Sequence, residues 1–399
     1  MIQDKYRQKV KIDYFIIKSV KVSGKKGFLK NHIYIHIPFC LRKCNYCSFY
    51  SVEYSPSLKE KYLSYLIREI KIYQHKYLLR PTTIYFGGGT PSLLSADELI
   101  RIISKFEFSN ETEITLEANP INIDHEFAHK LSTTPINRIS LGIQSFLDQE
   151  LKLLGRLHDS KQIYSAYKLL RNSGFENISI DLIYGLPNQK IDDVEFSLNK
   201  MIELNPEHIS TYCLSLDKNV SLFRKISQIP ADEMISNFYY LLREKLISAG
   251  YEQYEISNFA KPGFESKHNL SYWNDRSYLG LGPAASGYLK TEKGNFRYTN
   301  PADLDKYFRL IKTSPSGSYR MVSLSDEDHE KEFIFLSLRK TKGMNLKEFQ
   351  SKFGENFLQK YEKEIAKFLE NKYLEIVGDF IRLTPKAYFI SNEIFAKFV

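Results

Sequence analysis

The sequence predicts an α/β fold, a partial (β/α)6 TIM-like barrel with a C-terminal helical, winged-helix-like domain. From about residue 33, short apolar runs rich in β-branched residues alternate with longer segments of helical spacing, and the strand–helix unit occurs six times. After residue 217 the rhythm changes, and helical segments from Asp326 precede two short strands. Six units are too few for a closed eight-stranded barrel, so the barrel should be partial.

The predicted strands are short and end at polar residues or glycine. They are Ile33–Ile37, Ile84–Phe86, Glu113–Glu117, Arg138–Ile143, Ile178–Tyr184 and Ile209–Leu216. The predicted helices have apolar residues three and four positions apart. They are Leu58–Tyr77, Asp97–Phe106, Asp148–Leu154, Ser160–Asn172, Asp192–Leu204 and Asp232–Ser248. Because ligands of parallel α/β sheets bind at the carboxyl ends of the strands, we expect the functional site there.

Changes in pattern divide the chain into four segments. Residues 1–31 form a basic N-terminal extension, 32–260 the barrel core, 261–325 a loop-rich connecting region, and 326–399 the winged-helix-like domain. In this last segment the strands Tyr373–Val377 and Phe380–Leu383 meet at Gly378-Asp379, a pair typical of a hairpin turn.

The net charge of +9 is concentrated in the extension. Residues 1–31 hold nine Lys or Arg and two Asp, which leaves +2 for the rest of the chain. This distribution disfavours a nucleic-acid-binding face. It favours a solvated tail or edge strand; a contact with an acidic partner or a membrane surface is the alternative, without other support. We expect a cytoplasmic protein, because the sequence has no long apolar run and no secretory signal pattern.

Three of the four cysteines, Cys40, Cys44 and Cys47, follow the first predicted strand with the spacing C-x3-C-x2-C. Clustered thiols in such a chain usually bind metal, and three thiolates suit an iron–sulfur cluster with one iron free of protein ligands. The alternatives are buried thiols or a zinc site, which would need a fourth ligand. Nearby His36 lacks typical zinc-ligand spacing. The fourth cysteine, Cys213, is distant in the sequence, and we interpret it as a core or pocket-wall residue.

Polar or glycine residues occur at or near the ends of the next strands. The glycine-rich run 86–91 follows the second strand, Glu117 ends the third, Gln144 ends the fourth, and Asp181 lies in the fifth. Glycines let the backbone approach a ligand, and carboxylates suit ribose hydroxyls or an ammonium group. Each feature alone is equally typical of a turn, a cap or the surface, but together they predict one binding pocket.

The string Tyr34-Ile35-His36-Ile37-Pro38-Phe39-Cys40, with its cysteine motif, resembles the radical S-adenosylmethionine (SAM) superfamily. Over roughly residues 32 to 395 the chain is similar to the branch that contains the oxygen-independent coproporphyrinogen III dehydrogenases and the HemW heme chaperones. This resemblance implies a radical SAM core, a [4Fe-4S] cluster on the three cysteines, and SAM at the open iron. It assigns SAM binding to Tyr34, Gly88, Gly89, Thr90, Glu117, Gln144, Arg156 and Asp181, and it assigns no catalytic residue.

Two features separate the two groups of this branch. Phe49 stands where the dehydrogenases have a fourth cysteine, and residues 268–273 match the H-N-x-x-Y-W motif of the chaperones. The resemblance makes His268 a candidate heme ligand, because imidazole can ligate heme iron and aromatic rings can pack on a porphyrin. Without it, a histidine with an aromatic pair in a core would be the ordinary interpretation. The heme-binding residues it implies are His268, Asn269, Tyr272 and Trp273.

The main hypothesis is therefore a heme chaperone that binds heme and transfers it to an acceptor protein. The first alternative is a coproporphyrinogen III dehydrogenase of porphyrin biosynthesis, which Phe49 and the H-N-x-x-Y-W motif disfavour. The second is a nucleic-acid-modifying radical enzyme that grips its substrate with the winged helix; the near-neutral charge beyond residue 31 disfavours it. The sequence identifies neither the heme acceptor nor the electron donor.

Overall fold

A computed structural model describes residues 27–29, 32–313 and 321–398. The predicted basic extension, 1–31, lies outside the described residues except for a short strand, Gly27–Leu29, which pairs in parallel with Tyr77–Leu79. Within the described ranges, one sheet contains twelve strands. They are β1 (His32–Ile37), β2 (Thr83–Gly88), β3 (Glu113–Ala118), β4 (Arg138–Gln144), β5 (Ile178–Tyr184), β6 (His208–Cys213), β7 (Glu252–Gln253), β8 (Asn258–Ala260), β9 (Tyr278–Leu281), β10 (Ser286–Thr291), β11 (Gly294–Thr299) and β12 (Val322–Ser323).

The first six strands form the core of this sheet, and each pairs in parallel with its neighbours in the order β6-β5-β4-β3-β2-β1. This arrangement confirms the predicted fold class, with all six predicted strands present to within three residues at either end. Parallel pairing brings the carboxyl ends of β1 to β6 to the same edge of the sheet. Of the predicted cysteines and pocket residues, Tyr34 and Asp181 lie within strands, and Glu117 is one residue before the end of β3. The others are at or beyond a strand end.

The helices of the described ranges cover the sheet and build the C-terminal unit. They are α1 (Pro56–Lys76), α2 (Ala96–Ile103), α3 (His125–Ser132), α4 (Asp148–Leu154), α5 (Ser160–Asn172), α6 (Ile191–Leu204), α7 (Asp232–Ser248), α8 (Lys267–Trp273), α9 (Leu304–Thr313), α10 (Asp326–Leu338), α11 (Leu346–Phe353), α12 (Phe357–Lys360), α13 (Glu362–Glu370) and α14 (Ser391–Phe395). None of them is long and apolar enough to cross a membrane.

Helix starts follow local capping chemistry. Ser95 and Glu98 form a capping box at α2, and Asp159 with Gln162 forms one at α5. The sequence interpretation missed α3, whose short length leaves few apolar positions. Its N-cap is nonetheless visible in the sequence, because the Asp124 side chain accepts a hydrogen bond from the Phe127 amide.

Residues 261–325 contain more regular structure than the expected loop-rich region. They hold the helices α8 and α9 and the four strands β9 to β12. Strand β9 pairs in parallel with β1, and β10 to β12 then extend the sheet by antiparallel pairing. Close packing explains one of the local glycines: a Cβ on Gly280 would lie 2.0 Å from the Ser286 carbonyl oxygen. The sheet therefore continues beyond the predicted six strands.

The C-terminal residues form helices α10 to α14 and a three-stranded sheet, in the order Met344–Asn345, Phe380–Leu383, Leu374–Val377. The predicted hairpin is present, with Val377 opposite Phe380 and Gly378 at a positive φ of 59°. A positive φ suits glycine at a tight turn. This unit agrees with the predicted winged-helix-like domain.

A buried carboxylate, Asp275, ties this unit to the barrel. Its side chain is 2% exposed and interacts with Lys290 on β10, His329 on α10 and Lys352 on α11. It also accepts a hydrogen bond from the Tyr288 hydroxyl. Burial alone would raise the pKa of the Asp275 carboxyl, but its bonds with His329 and Lys290 hold that pKa well below its usual range. The charge is thus kept in the folded state by partners from two parts of the molecule.

We predict that Asp275→Asn lowers the free energy of unfolding by about 3 kcal/mol at pH 7, because it removes the buried counter-charge that Lys290 and Lys352 share. Urea denaturation followed by fluorescence measures the change. Asp379→Asn, which removes an exposed partner of Lys347, should change it by less than about 1 kcal/mol. Since a depressed carboxyl pKa contributes stability that is lost as pH falls, the difference between wild type and Asp275→Asn should shrink below about pH 4. Equal losses in the two variants would contradict the role of Asp275.

Candidate functional site

The three clustered cysteines lie on the loop that follows β1, at the carboxyl edge of the sheet. Cys40, Cys44 and Cys47 are free and half-buried. Backbone bonds hold the loop: the Tyr54 amide donates to the Cys40 carbonyl, and the Asn45 amide donates to the Leu154 carbonyl, each over 2.9 Å. The sequence-predicted cysteine site is therefore one compact loop.

The three thiols influence one another electrostatically. Burial raises the pKa of the Cys47 thiol, and the charges of Cys44 and Cys40 raise it further, so the three thiols lie within reach of one another. In the described part of the chain no three His, Cys, Asp or Glu side chains converge as around a single metal ion. A four-iron cluster instead places each thiolate on its own iron. Both ring nitrogens of His36 are also hydrogen-bonded, to Tyr34 and the Tyr50 carbonyl, so it is not poised as a fourth zinc ligand.

Two neighbouring side chains point hydrogen-bond donors at the cysteine sulfurs. The Thr90 hydroxyl donates to Cys40 Sγ over 3.7 Å, and an Arg156 guanidinium nitrogen donates to Cys44 Sγ over 3.5 Å. Such donors stabilise the thiolate, which is the form that binds metal. Both residues belong to the set that the sequence assigned to the cofactor.

The glycine-rich run packs directly against the cysteine strand. The Gly89 amide donates to the Ile37 carbonyl and the Thr90 amide to the Phe39 carbonyl, each over 2.7 Å. A Cβ on Gly89 would lie 2.6 Å from the Phe39 carbonyl oxygen, and Gly88 has a positive φ of 111° beside the ring of His36. The run therefore needs glycine for close approach, and it forms one wall of the site.

Two carboxylates, from the strands on either side of β4, share the centre of the site. Burial raises the pKa of Glu117 to about 7 and that of Asp181 to about 6, and the charge of Asp181 adds to the shift of Glu117. Glu117 accepts hydrogen bonds from the Tyr85 hydroxyl and the Gly88 amide. Oδ1 of Asp181 has no partner among the described residues. A cationic ligand would satisfy both carboxylates at once.

Gln144 and Arg156 complete the predicted set. Gln144 ends β4 with a positive φ of 76°, next to a register irregularity between β4 and β5. A non-glycine residue held in this region often marks a functional site. Arg156 donates to the Gly142 carbonyl over 2.6 Å, while its Nε has no partner in the described ranges. The structure thus brings residues of β1 to β5 and of the loops after them to one site, with Tyr34 contributing from within β1.

The sequence interpretation missed several polar residues that line the same side of the sheet. Tyr85 stacks on Tyr34, and Arg138, only 2% exposed, lies near enough to lower the pKa of Glu117 and Asp181 against the larger effect of burial. Ser210 hydrogen-bonds Asp181. These residues alternate with apolar ones along each strand, and this period of two is the signal that could have found them.

The H-N-x-x-Y-W motif forms α8 at the opposite end of the barrel from the cysteines. Glu113, the first residue of β3, accepts hydrogen bonds from the Lys267 and His268 amides. His268 is 1% exposed; its Nδ1 bonds the Thr83 hydroxyl and its Nε2 bonds the Tyr272 hydroxyl, both over 2.7 Å. In this arrangement neither ring nitrogen is free for a metal ion.

The rest of the motif packs around this histidine. Tyr272 makes an edge contact with Tyr278 of β9. The guanidinium of Arg339, the residue that follows α10, lies over the Trp273 ring at 4.5 Å. The indole nitrogen of Trp273 has no partner among the described residues, and Asn269 is half-buried. The structure brings the motif residues together, but away from the cysteine loop.

Comparisons with known proteins agree with this geometry. A model of the Radical SAM superfamily matches residues 34–201, and a model of the HemN C-terminal domain matches residues 324–390. The solved structure of coproporphyrinogen III oxidase (HemN) from Escherichia coli, a radical SAM enzyme, matches with a TM-score of 0.82. The match covers 93% of this chain and 90% of that one. At 23% identity, it shows a shared fold.

Curated relatives extend the similarity over nearly the whole chain. The heme chaperone HemW of Lactococcus lactis is 35% identical over 377 residues, which cover 92% of this chain and 97% of the relative. HemW of Bacillus subtilis is 33% identical over 379 residues, or 92% and 98%. With the cysteine loop and its pocket in place, the chain belongs to the radical SAM superfamily and, within it, to the HemW heme chaperone family.

Proposed function

We propose that this protein is a heme chaperone, which binds heme and passes it to an acceptor protein, and that it carries a [4Fe-4S] cluster with SAM. The near full-length similarity to proteins named heme chaperone HemW carries this proposal. Phe49 supports it, because the side chain is 67% exposed beside the cysteine loop, at the position where a dehydrogenase would have a fourth cysteine.

Cys40, Cys44 and Cys47 would hold the cluster. When bound, it would supply one-electron chemistry and an iron open to the amino and carboxylate groups of SAM. The donors from Thr90 and Arg156 would stabilise the thiolate ligands. The surrounding loop excludes water only in part, since all three cysteines are half-buried.

SAM would lie between the glycine wall and the two carboxylates. Gly88, Gly89 and Thr90 present backbone groups, and Glu117 and Asp181 attract the positively charged ligand. Tyr34, Gln144 and Arg156 would close the pocket. The partnerless Oδ1 of Asp181 and Nε of Arg156 support this placement, because buried polar atoms usually have partners.

We predict that heme binds at four residues of the motif, on the condition that His268 is released from a hydrogen bond. These residues are His268, Asn269, Tyr272 and Trp273. His268 can ligate iron only after release from Thr83 or Tyr272. Such a release would require α8 to move away from the sheet. The two hydrogen bonds and the stacking of Tyr85 on His268 hold this helix against the core.

We expect Cys47→Ser to lose the cluster after anaerobic reconstitution, as seen in iron and acid-labile sulfide content and in the visible charge-transfer band, because the third thiolate has no substitute nearby. Cys213→Ser is the matched control, since that exposed cysteine lies on β6 outside the loop, and it should retain wild-type iron. Full iron content in Cys47→Ser would contradict the ligand assignment.

SAM binding should tighten about tenfold between pH 5.5 and 7.5, because the raised pKa values of Glu117 and Asp181 make these carboxylates ionise in this range. Anaerobic equilibrium dialysis with labelled SAM measures the dissociation constant. Glu117→Gln should weaken binding and flatten the pH profile, whereas Glu126→Gln, on the exposed face of α3, should change neither. A wild-type profile in Glu117→Gln would exclude Glu117 from the site.

Coproporphyrinogen III should not be turned over by protein with a verified cluster, SAM and a low-potential reductant. Anaerobic assays for protoporphyrinogen test this point, with hemin titration of the same preparation in parallel. Product formed over many turnovers would replace the chaperone proposal with the dehydrogenase.

A further inference from the structure

The H-N-x-x-Y-W motif is poorly placed to receive incoming heme. It lies at the amino ends of the strands, and His268 is buried with both ring nitrogens hydrogen-bonded. A porphyrin is a wide apolar plate, and it needs an accessible apolar surface for first contact. The opposite end of the barrel has such a surface.

Large apolar side chains are exposed around the cysteine loop. Phe49 is 67% exposed, and Leu41, Leu157 and Ile226 are exposed as well. They lie on three segments, the cysteine loop, residues 155–157 and the 3-10 segment Ser221–Gln228. We call these exposed side chains, with the cations described next, the mouth rim.

Hydrogen bonds join the three segments into one surface. Arg42 donates to the carbonyls of Gly155 and Arg156, at 3.0 and 3.2 Å. Leu222 and Ser221 both donate to the Asn45 carbonyl, at 2.9 and 3.3 Å. The mouth rim therefore belongs to a connected set of loops around the cluster site and not to separate surface features.

The mouth rim is also positively charged. Its exposed cations are Arg42, Lys43, Arg224 and Lys225, and the exposed acids on adjoining residues are Glu53 and Asp217. In the described part of the chain, Lys43, Arg224 and Lys225 have no ion-pair partner. Free cations beside exposed apolar side chains complement a ligand that has an apolar plate and carboxylates on its edge.

We propose that the mouth rim is the entry site for heme, with the porphyrin face on Phe49 and the neighbouring aliphatic side chains and the propionates on Arg224 and Lys225. This inference rests on the proposed function, that the protein binds heme. It places the cargo at the cluster end of the barrel, so that the three cysteines and the heme share one opening. Acceptor proteins would then approach the same exposed face.

Hemin titration followed by Soret absorbance tests the proposal on full-length protein with verified iron and sulfide content. Phe49→Ser and the double variant Arg224→Glu/Lys225→Glu should each raise the dissociation constant about tenfold. With hemin dimethyl ester, which lacks free propionates, the double variant should bind as the wild type does, while Phe49→Ser should remain impaired.

Matched controls lie on helices away from the opening. Phe196→Ser replaces an exposed phenylalanine of α6, and Lys363→Glu/Lys367→Glu reverses two exposed charges of α13. Both should bind hemin within about twofold of wild type. Losses in these controls as large as in the rim variants would overturn the proposal, since the effect would then be general.

Other outcomes would distinguish a failure of the proposed entry site from a failure of the proposed heme-binding function. Wild-type binding in both rim variants, with binding abolished in His268→Ala, would overturn the mouth rim and favour the motif. Rim variants that bind hemin normally but lose adsorption to phosphatidylglycerol vesicles would overturn it in favour of a lipid surface. A wild-type protein that binds no hemin would contradict the proposed function itself.

Discussion

The parallel pairing of β1 with β2 is the constraint on which the site depends. The register runs from His32 opposite Thr83 to Ile37 opposite Gly88, and two further hydrogen bonds, from the Gly89 and Thr90 amides, continue it past the strand ends. The cysteine loop and the glycine wall are thus one extension of the sheet. Any side chain at Gly89 would meet the Phe39 carbonyl and separate them.

The sheet then gathers polar groups on the side that faces the site. Glu117, Asp181 and Arg138 come from β3, β5 and β4, and all three are held away from bulk water. Burial of this many ionisable groups is costly unless they find partners. Partners from the protein satisfy some of them, as Tyr85 and Gly88 do for Glu117, and the atoms left over lie where a charged cofactor would fit.

The two ends of the barrel have different chemistry. At the carboxyl end, the loops expose cysteines, cations and apolar side chains. At the amino end, α8 covers the sheet. Glu113, the first residue of β3, accepts a hydrogen bond from the His268 amide, and the His268 ring stacks on Tyr85. A motif that the family resemblance connects with heme is therefore buried here, and its residues contact β2, β3 and β9.

The sequence alone determined the fold class, the six parallel strands and the position of the cysteine loop, because strand patterns and cysteine spacing are local. The pocket residues are a prediction that rests on the family resemblance. The sequence did not reveal α3, which has few apolar positions, or the strands β9 to β12, whose pairing partners are distant in the chain. Only the tertiary structure decided that His268 is buried and that Leu41, Phe49 and Ile226 are exposed around one opening. Burial depends on what packs against a residue from elsewhere in the chain, and no local pattern contains that information.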